Sequence, residues 1–379
     1  MRRTLTTGLL PLVLLAPAAI SGWLGCHAIA GIEDRTYVPP EEEPEPSPVS
    51  EACASYCADV MENCTGENQV YSTLDTCHGV CAALPAGDPL EPVDNTLACR
   101  ARQAELAGLT GEPAVHCPAA GPGGAPHCGT NCESYCALQA AACSPELPTQ
   151  EECVAKCAGL RDVEGFDAIE NHEGDTLQCR LVHVSSATVD PDEHCEHASL
   201  MPVEPCIEPE GTEPSCEDFC RVVMTSCEGD QAVYDSSEQC LAVCGALPPG
   251  GTEDRSENTV GCRQYHAYSA LLAPDTHCGH AGPGGDGHCG LDGDSTTTGN
   301  CASYCTLLEA ACKEAFDAIF EDRGACELDC GDVSGAGHDS GYAIASAEGA
   351  TVACRLLYVS RAFEDPTLCA AALGDPPCQ

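Results

Sequence analysis

Cysteine and histidine are the residues here whose types and spacing could do chemistry. The chain has 33 cysteines and 13 histidines in 379 residues. Cys26 stands alone, and the other cysteines fall into four blocks: Cys53 to Cys128, Cys132 to Cys206, Cys216 to Cys289 and Cys301 to Cys378. Every block opens C-x3-C-x6-C, continues after nine to thirteen residues with C-x3-C, and ends in three widely spaced cysteines. Eight per block is an even number, so each block can close four disulfides of its own, which leaves Cys26 for another task. The alternative chemistry is Cu(I) sequestration by C-x3-C thiolates. Even parity, cysteines outside helices and only four methionines count against it.

Histidine precedes the seventh cysteine in three blocks (His116, His194, His277), and His183 and His266 lie four residues after the sixth. A metal site built on these positions would exist in two blocks at most. Packing positions that tolerate polar residues explain them as well, so no metal ligand is assigned. Haem attachment through C-x-x-C-H and paired C-x2-C zinc spacing are both missing. Gly121-Pro122-Gly123-Gly124 and Gly282-Pro283-Gly284-Gly285 lack the lysine and following helix of a phosphate loop and read as turns. Asp292-Gly293-Asp294-Ser295 lacks the distal glutamate of a calcium loop. We therefore expect no catalytic residues and no cofactor, and a chain that is not an enzyme.

The elements that hold the cysteines follow from spacing. Cys53, Cys57, Val60 and Cys64 share one helical face, as do Cys216, Cys220, Val223 and Cys227, and Cys301, Cys305, Leu308 and Cys312. In the second block Gln139 takes the apolar place. The second C-x3-C predicts another short helix. Thr96, Thr176, Thr259 and Thr351 are candidate N-caps of a third. An aromatic precedes each second cysteine (Tyr56, Tyr135, Phe219, Tyr304), arginine follows each sixth (Arg100, Arg180, Arg263, Arg355), and alanine lies eight residues after it. Arginine at a fixed position could bind a ligand or pair with neighbouring groups, and the second is expected. The fold class is thus mainly α: four tandem disulfide-stapled helical repeats, each of about three short helices plus a Gly/Pro-rich loop.

Cysteines four apart on one helix face a neighbouring helix, so in an antiparallel hairpin first pairs with last. The expected hairpin pairs are Cys53–Cys81, Cys57–Cys77, Cys132–Cys157, Cys136–Cys153, Cys216–Cys244, Cys220–Cys240, Cys301–Cys330 and Cys305–Cys326. This resembles the α-hairpinin arrangement, over about 30 residues per repeat. Eight cysteines allow about 105 connectivities; geometric preference then gives Cys64–Cys99, Cys143–Cys179, Cys227–Cys262 and Cys312–Cys354. The last pairs close short loops: Cys117–Cys128, Cys195–Cys206, Cys278–Cys289 and Cys369–Cys378.

Arg2-Arg3, the apolar stretch Leu9 to Ile20 and Trp23-Leu24-Gly25-Cys26 predict a secretory signal, too short and proline-broken to span a membrane. Its end resembles the lipobox of bacterial lipoproteins. That resemblance implies lipid attachment at Cys26 and, with His27 next, the outer membrane; without lipidation the protein would be secreted or periplasmic. The expected organisation is signal peptide 1–25, Pro/Glu-rich stalk 26–50, repeats 51–129, 130–206, 216–289 and 301–379, and flexible links 207–215 and 290–300. Only Gly129-Thr130-Asn131 joins the first two repeats, so they are expected to pack as a pair. Net charge is −45 and no repeat is basic, which excludes nucleic acid as a partner. We expect a non-enzymatic cell-envelope lipoprotein that meets the membrane through its lipid and an unknown protein or surface ligand through its repeats.

Overall fold

A computed structural model describes residues 49–290, 299–337 and 341–379. Cys26, the signal segment, the stalk to residue 48 and Asp292 to Ser295 lie outside the described residues. The described residues are helical, connected by turns and two isolated β-bridges.

Each repeat has a disulfide-rich hairpin followed by a second helical pair. In the first repeat these are Glu51–Asn63 with Leu74–Ala83, then Leu97–Thr110 with Pro113–Ala120. The threonines predicted as caps accept from the backbone N–H of the third residue on, Thr96 from Cys99 at 3.3 Å and Thr176 from Cys179 at 3.1 Å. Thr259 and Thr351 do the same for Cys262 and Cys354. The recurrent alanines Ala107, Ala187, Ala270 and Ala362 are all buried, which lets the third helix lie close to its neighbours. Tyr56, Tyr135 and Tyr304 are buried and donate to the carbonyls of Ala120, Ala198 and Ala372. The third repeat has Phe219 at that place, and Tyr234 reaches the matching Ala281 carbonyl instead.

The fourth helix departs from the sequence expectation. Sequence reasoning takes the region around Cys117 as loop, yet Pro113, Pro191 and Pro274 open helices Pro113–Ala120, Pro191–His194 and Pro274–Ala281. Proline suits a first helical turn because its missing N–H would be unpaired there anyway. In the first repeat Gly111, at φ 70°, turns the chain back after the third helix.

That return corrects half of the disulfide map. The hairpin bonds are Cys53–Cys81, Cys57–Cys77, Cys132–Cys157, Cys136–Cys153, Cys216–Cys244, Cys220–Cys240, Cys301–Cys330 and Cys305–Cys326. The expected Cys64–Cys99, Cys143–Cys179, Cys227–Cys262 and Cys312–Cys354 bonds are replaced by Cys64–Cys117, Cys143–Cys195, Cys227–Cys278 and Cys312–Cys369. Likewise Cys117–Cys128, Cys195–Cys206, Cys278–Cys289 and Cys369–Cys378 give way to Cys99–Cys128, Cys179–Cys206, Cys262–Cys289 and Cys354–Cys378. The physical reason is axial position. Cys99 sits in the first turn of its helix, whereas the end of the first helix lies lower down, where Asn63 Nδ2 donates to the Ala104 carbonyl at 3.1 Å. Five residues of helix are about 7.5 Å, too far for a disulfide, and the returning fourth helix brings Cys117 beside Cys64. In this map every C-x3-C sulfur is bonded to one on the facing helix, which leaves none as a thiolate for Cu(I).

Repeats also dock. Arg100 Nη2 donates to Ser134 Oγ of the second repeat at 2.8 Å, and Ser134 Oγ donates to Asn95 Oδ1. Arg263, Ser303 and Asn258 repeat this between the third and fourth repeats, at 2.7 Å for Arg263 to Ser303. Backbone contacts match too: Ala168 N–H to the Gln69 carbonyl, Ile344 N–H to the Ala232 carbonyl. The third and fourth repeats therefore pack like the first two, although a longer link was expected to leave them loose. Segment 207–215, expected as a flexible link, is tied on both sides. Glu208 pairs with Arg161 at 2.6 Å, and the Thr212 carbonyl accepts from Thr252 N–H at 3.1 Å.

Candidate functional site

Three of the four recurrent arginines are interior, and Arg355 is half-buried. Arg100, Arg180 and Arg263 are fully buried. Arg100 gives Nε to the Gly121 carbonyl and Nη2 to that of Pro122; Arg263 does the same with Gly282 and Pro283. Gly-Pro-Gly-Gly is thus a carbonyl cradle at the C-terminal end of the fourth helix, where the helix dipole also favours a cation. Gly124, at φ 81°, has no room for a side chain, since a Cβ would come within 2.6 Å of the guanidinium. Burial pushes Arg263 down to about 10 and lowers Arg100 as well. Arg180 differs. It meets Asp175 at 2.9 Å, and although burial opposes its charge, Asp175 holds its pKa above the ordinary arginine value.

The histidines singled out by sequence come together in two repeats. His183 Nδ1 lies 3.2 Å from His194 Nδ1, and His266 Nδ1 lies 3.0 Å from His277 Nδ1. In the first repeat the corresponding contact is a plain hydrogen bond, His116 Nδ1 to Gln103 Oε1 at 2.8 Å. Three more histidines complete the clusters, and sequence reasoning missed them. His197 joins His183 and His194; His280 and His288 join His266. Within each trio every residue offers a ring nitrogen within 4.8 Å of the others. The available signal was H-C-x-H, present at His194–His197 and His277–His280 but absent from the other two repeats. Burial, then the neighbouring rings, pushes His266 down to about 3; His183, desolvated likewise, falls to about 4. Both imidazoles are neutral near pH 7 and keep a lone pair. Cys179 and Cys206 also lie beside His183, but they are bonded to each other.

A cleft of about 740 Å³ opens where the second and third repeats meet. Glu173, Glu204, Glu208, Glu210 and Glu253 line it with Tyr265 and Tyr268. The Arg255 guanidinium lies over the Tyr265 ring, 4.2 Å from its centroid.

Two stretches of the chain, residues 40–133 and 207–292, match the BfoA family C-terminal domain. They contain the first and third repeats, the two that carry Gly-Pro-Gly-Gly. An EGF-like domain-containing protein of Acanthamoeba polyphaga mimivirus is 36% identical over 73 residues, which is 17% of this chain and 13% of that protein. Bifonsecin B biosynthesis cluster protein A of Aspergillus brasiliensis is 37% identical over 73 residues, 19% of this chain and 24% of that protein. The chain thus spans less than a quarter of the length of either curated relative. No solved structure matches it significantly.

Proposed function

We propose that the chain is a non-enzymatic, disulfide-stapled binding module, held at the outer membrane by lipid on Cys26, that takes a basic polypeptide segment into the cleft between its second and third repeats. The sixteen disulfides suit an oxidising, extracytoplasmic compartment, and no helix of the described residues is long and apolar enough to cross a membrane. The cleft's chemistry is the main support. Five glutamates line the cleft with the half-buried Tyr265, a combination that attracts guanidinium and ammonium groups, and Arg255 already rests on that ring. Walls fixed by disulfides and inter-repeat bonds need little ordering on binding.

A fluorescent Arg/Lys peptide should bind the full chain, more weakly as salt rises. Glu204→Gln with Glu210→Gln removes two exposed cleft charges at about 0.5–1 kcal/mol each, so affinity should fall roughly fivefold or more. Unchanged binding in that variant would place the ligand elsewhere. The anchor is checked separately: Cys26→Ser should move the protein from the membrane fraction to the soluble one, and its retention in membranes would rule out lipid at this residue.

A further inference from the structure

We propose that the second and third repeats each carry a three-imidazole site for a divalent transition ion of the zinc or copper(II) class. The ligands are His183, His194 and His197 in one, and His266, His280 and His288, with His277 alongside, in the other. Both trios lie outside the cleft, whose lining contains no histidine.

Donor chemistry comes first. Every sulfur near these rings is spent in a disulfide, so the available donors are ring nitrogens, which suit zinc, copper(II) and nickel rather than calcium or magnesium. Three nitrogen ligands leave a fourth position for water or a partner's side chain. Two nitrogens on one tetrahedral ion stand about 3.3 Å apart, given metal–nitrogen bonds of about 2.0–2.1 Å. The 3.2 Å His183–His194 separation is already at that value, and the 4.8 Å limit within each trio closes by rotation of the half-buried rings and of the exposed His288. His197 Nδ1 is buried with no hydrogen-bond partner, a lone pair or N–H aimed at nothing in the protein.

Comparison among repeats separates this from packing. The first repeat satisfies the same interface with Gln103 and His116, and it has Ala119 where His197 and His280 stand. One polar pair is therefore enough to close the interface. The extra imidazoles of the second and third repeats are surplus to it, and they appear together in both.

The first repeat also supplies the test substitutions. Full-length oxidised protein is stripped with EDTA, equilibrated with Zn2+, dialysed and assayed for bound metal. The expected content is two zinc ions per chain, one in His183→Gln, one in His266→Gln and none in the double variant. His197→Ala with His280→Ala, which copies Ala119, should behave like that double variant and decides the matter if the glutamine variants misfold. Co2+ in place of zinc should give a tetrahedral visible absorption that both double variants lose. Wild-type protein without stoichiometric zinc overturns the proposal. So does zinc that persists in the double variants, which would locate it on surface carboxylates.

Discussion

Complete reduction should abolish the helical circular dichroism of the oxidised chain. With one tryptophan, ten tyrosines and five phenylalanines in 379 residues, the repeats have little aromatic core, and each is too small to rely on burial alone. Among the bonds, Cys64–Cys117 is the most informative to remove. It joins residues 53 apart in sequence, and closing a loop of that size contributes about 4 kcal/mol in the chain-entropy account. Paired serine substitution of Cys64 and Cys117 should lower stability by about that amount, read as a shift in the denaturant midpoint with the other bonds intact. Mass spectrometry of non-reduced peptides should recover Cys64 joined to Cys117 and Cys99 to Cys128. A dominant Cys64–Cys99 peptide would refute this connectivity, and a fully reduced chain that still melts cooperatively would refute the dependence on disulfides.

Arg180→Leu should be the most damaging single substitution at the junction of the second and third repeats. It leaves Asp175, almost fully buried, without its counter-charge. Removing one partner of a buried pair costs about 3–5 kcal/mol, because the remaining charge has neither water nor an opposite charge. Adding Asp175→Asn should return much of the loss, since a neutral amide is cheaper to bury. Thermal melts of the two single variants and the double close the cycle. Equal melting temperatures for Arg180→Leu and wild type would show that this pair contributes nothing.

Period and parity made much of the fold legible. The i, i+4, i+7, i+11 face around Cys53 specifies a helix, two C-x3-C helices specify a hairpin, and a threonine three residues before the sixth cysteine specifies a cap. The fourth helix was missed because its signal is a lone proline in a stretch rich in glycine and proline, where such residues equally mark turns. That omission alone misassigned the third and fourth disulfides of every repeat. The histidine clusters were half visible. His183, His194, His266 and His277 stand out by position relative to cysteine, but their convergence depends on the fourth helix folding back, and His288 arrives from the loop beyond it. The docking arginines looked like any recurrent cation, since nothing in a single repeat shows that Ser134 or Ser303 belongs to the next one.

The Arg–Gly-Pro-Gly-Gly–Asn socket occurs only in the first and third repeats, and its occupant is a serine two residues after the first cysteine of the repeat that follows. In the third repeat that position is Asp218, which faces Arg161 of the second repeat instead. The two kinds of joint are not interchangeable. The two kinds of joint therefore depend on order: removing the second repeat would bring Asp218 rather than a serine to the Arg100 socket, and removing the third would leave Arg161 without Asp218.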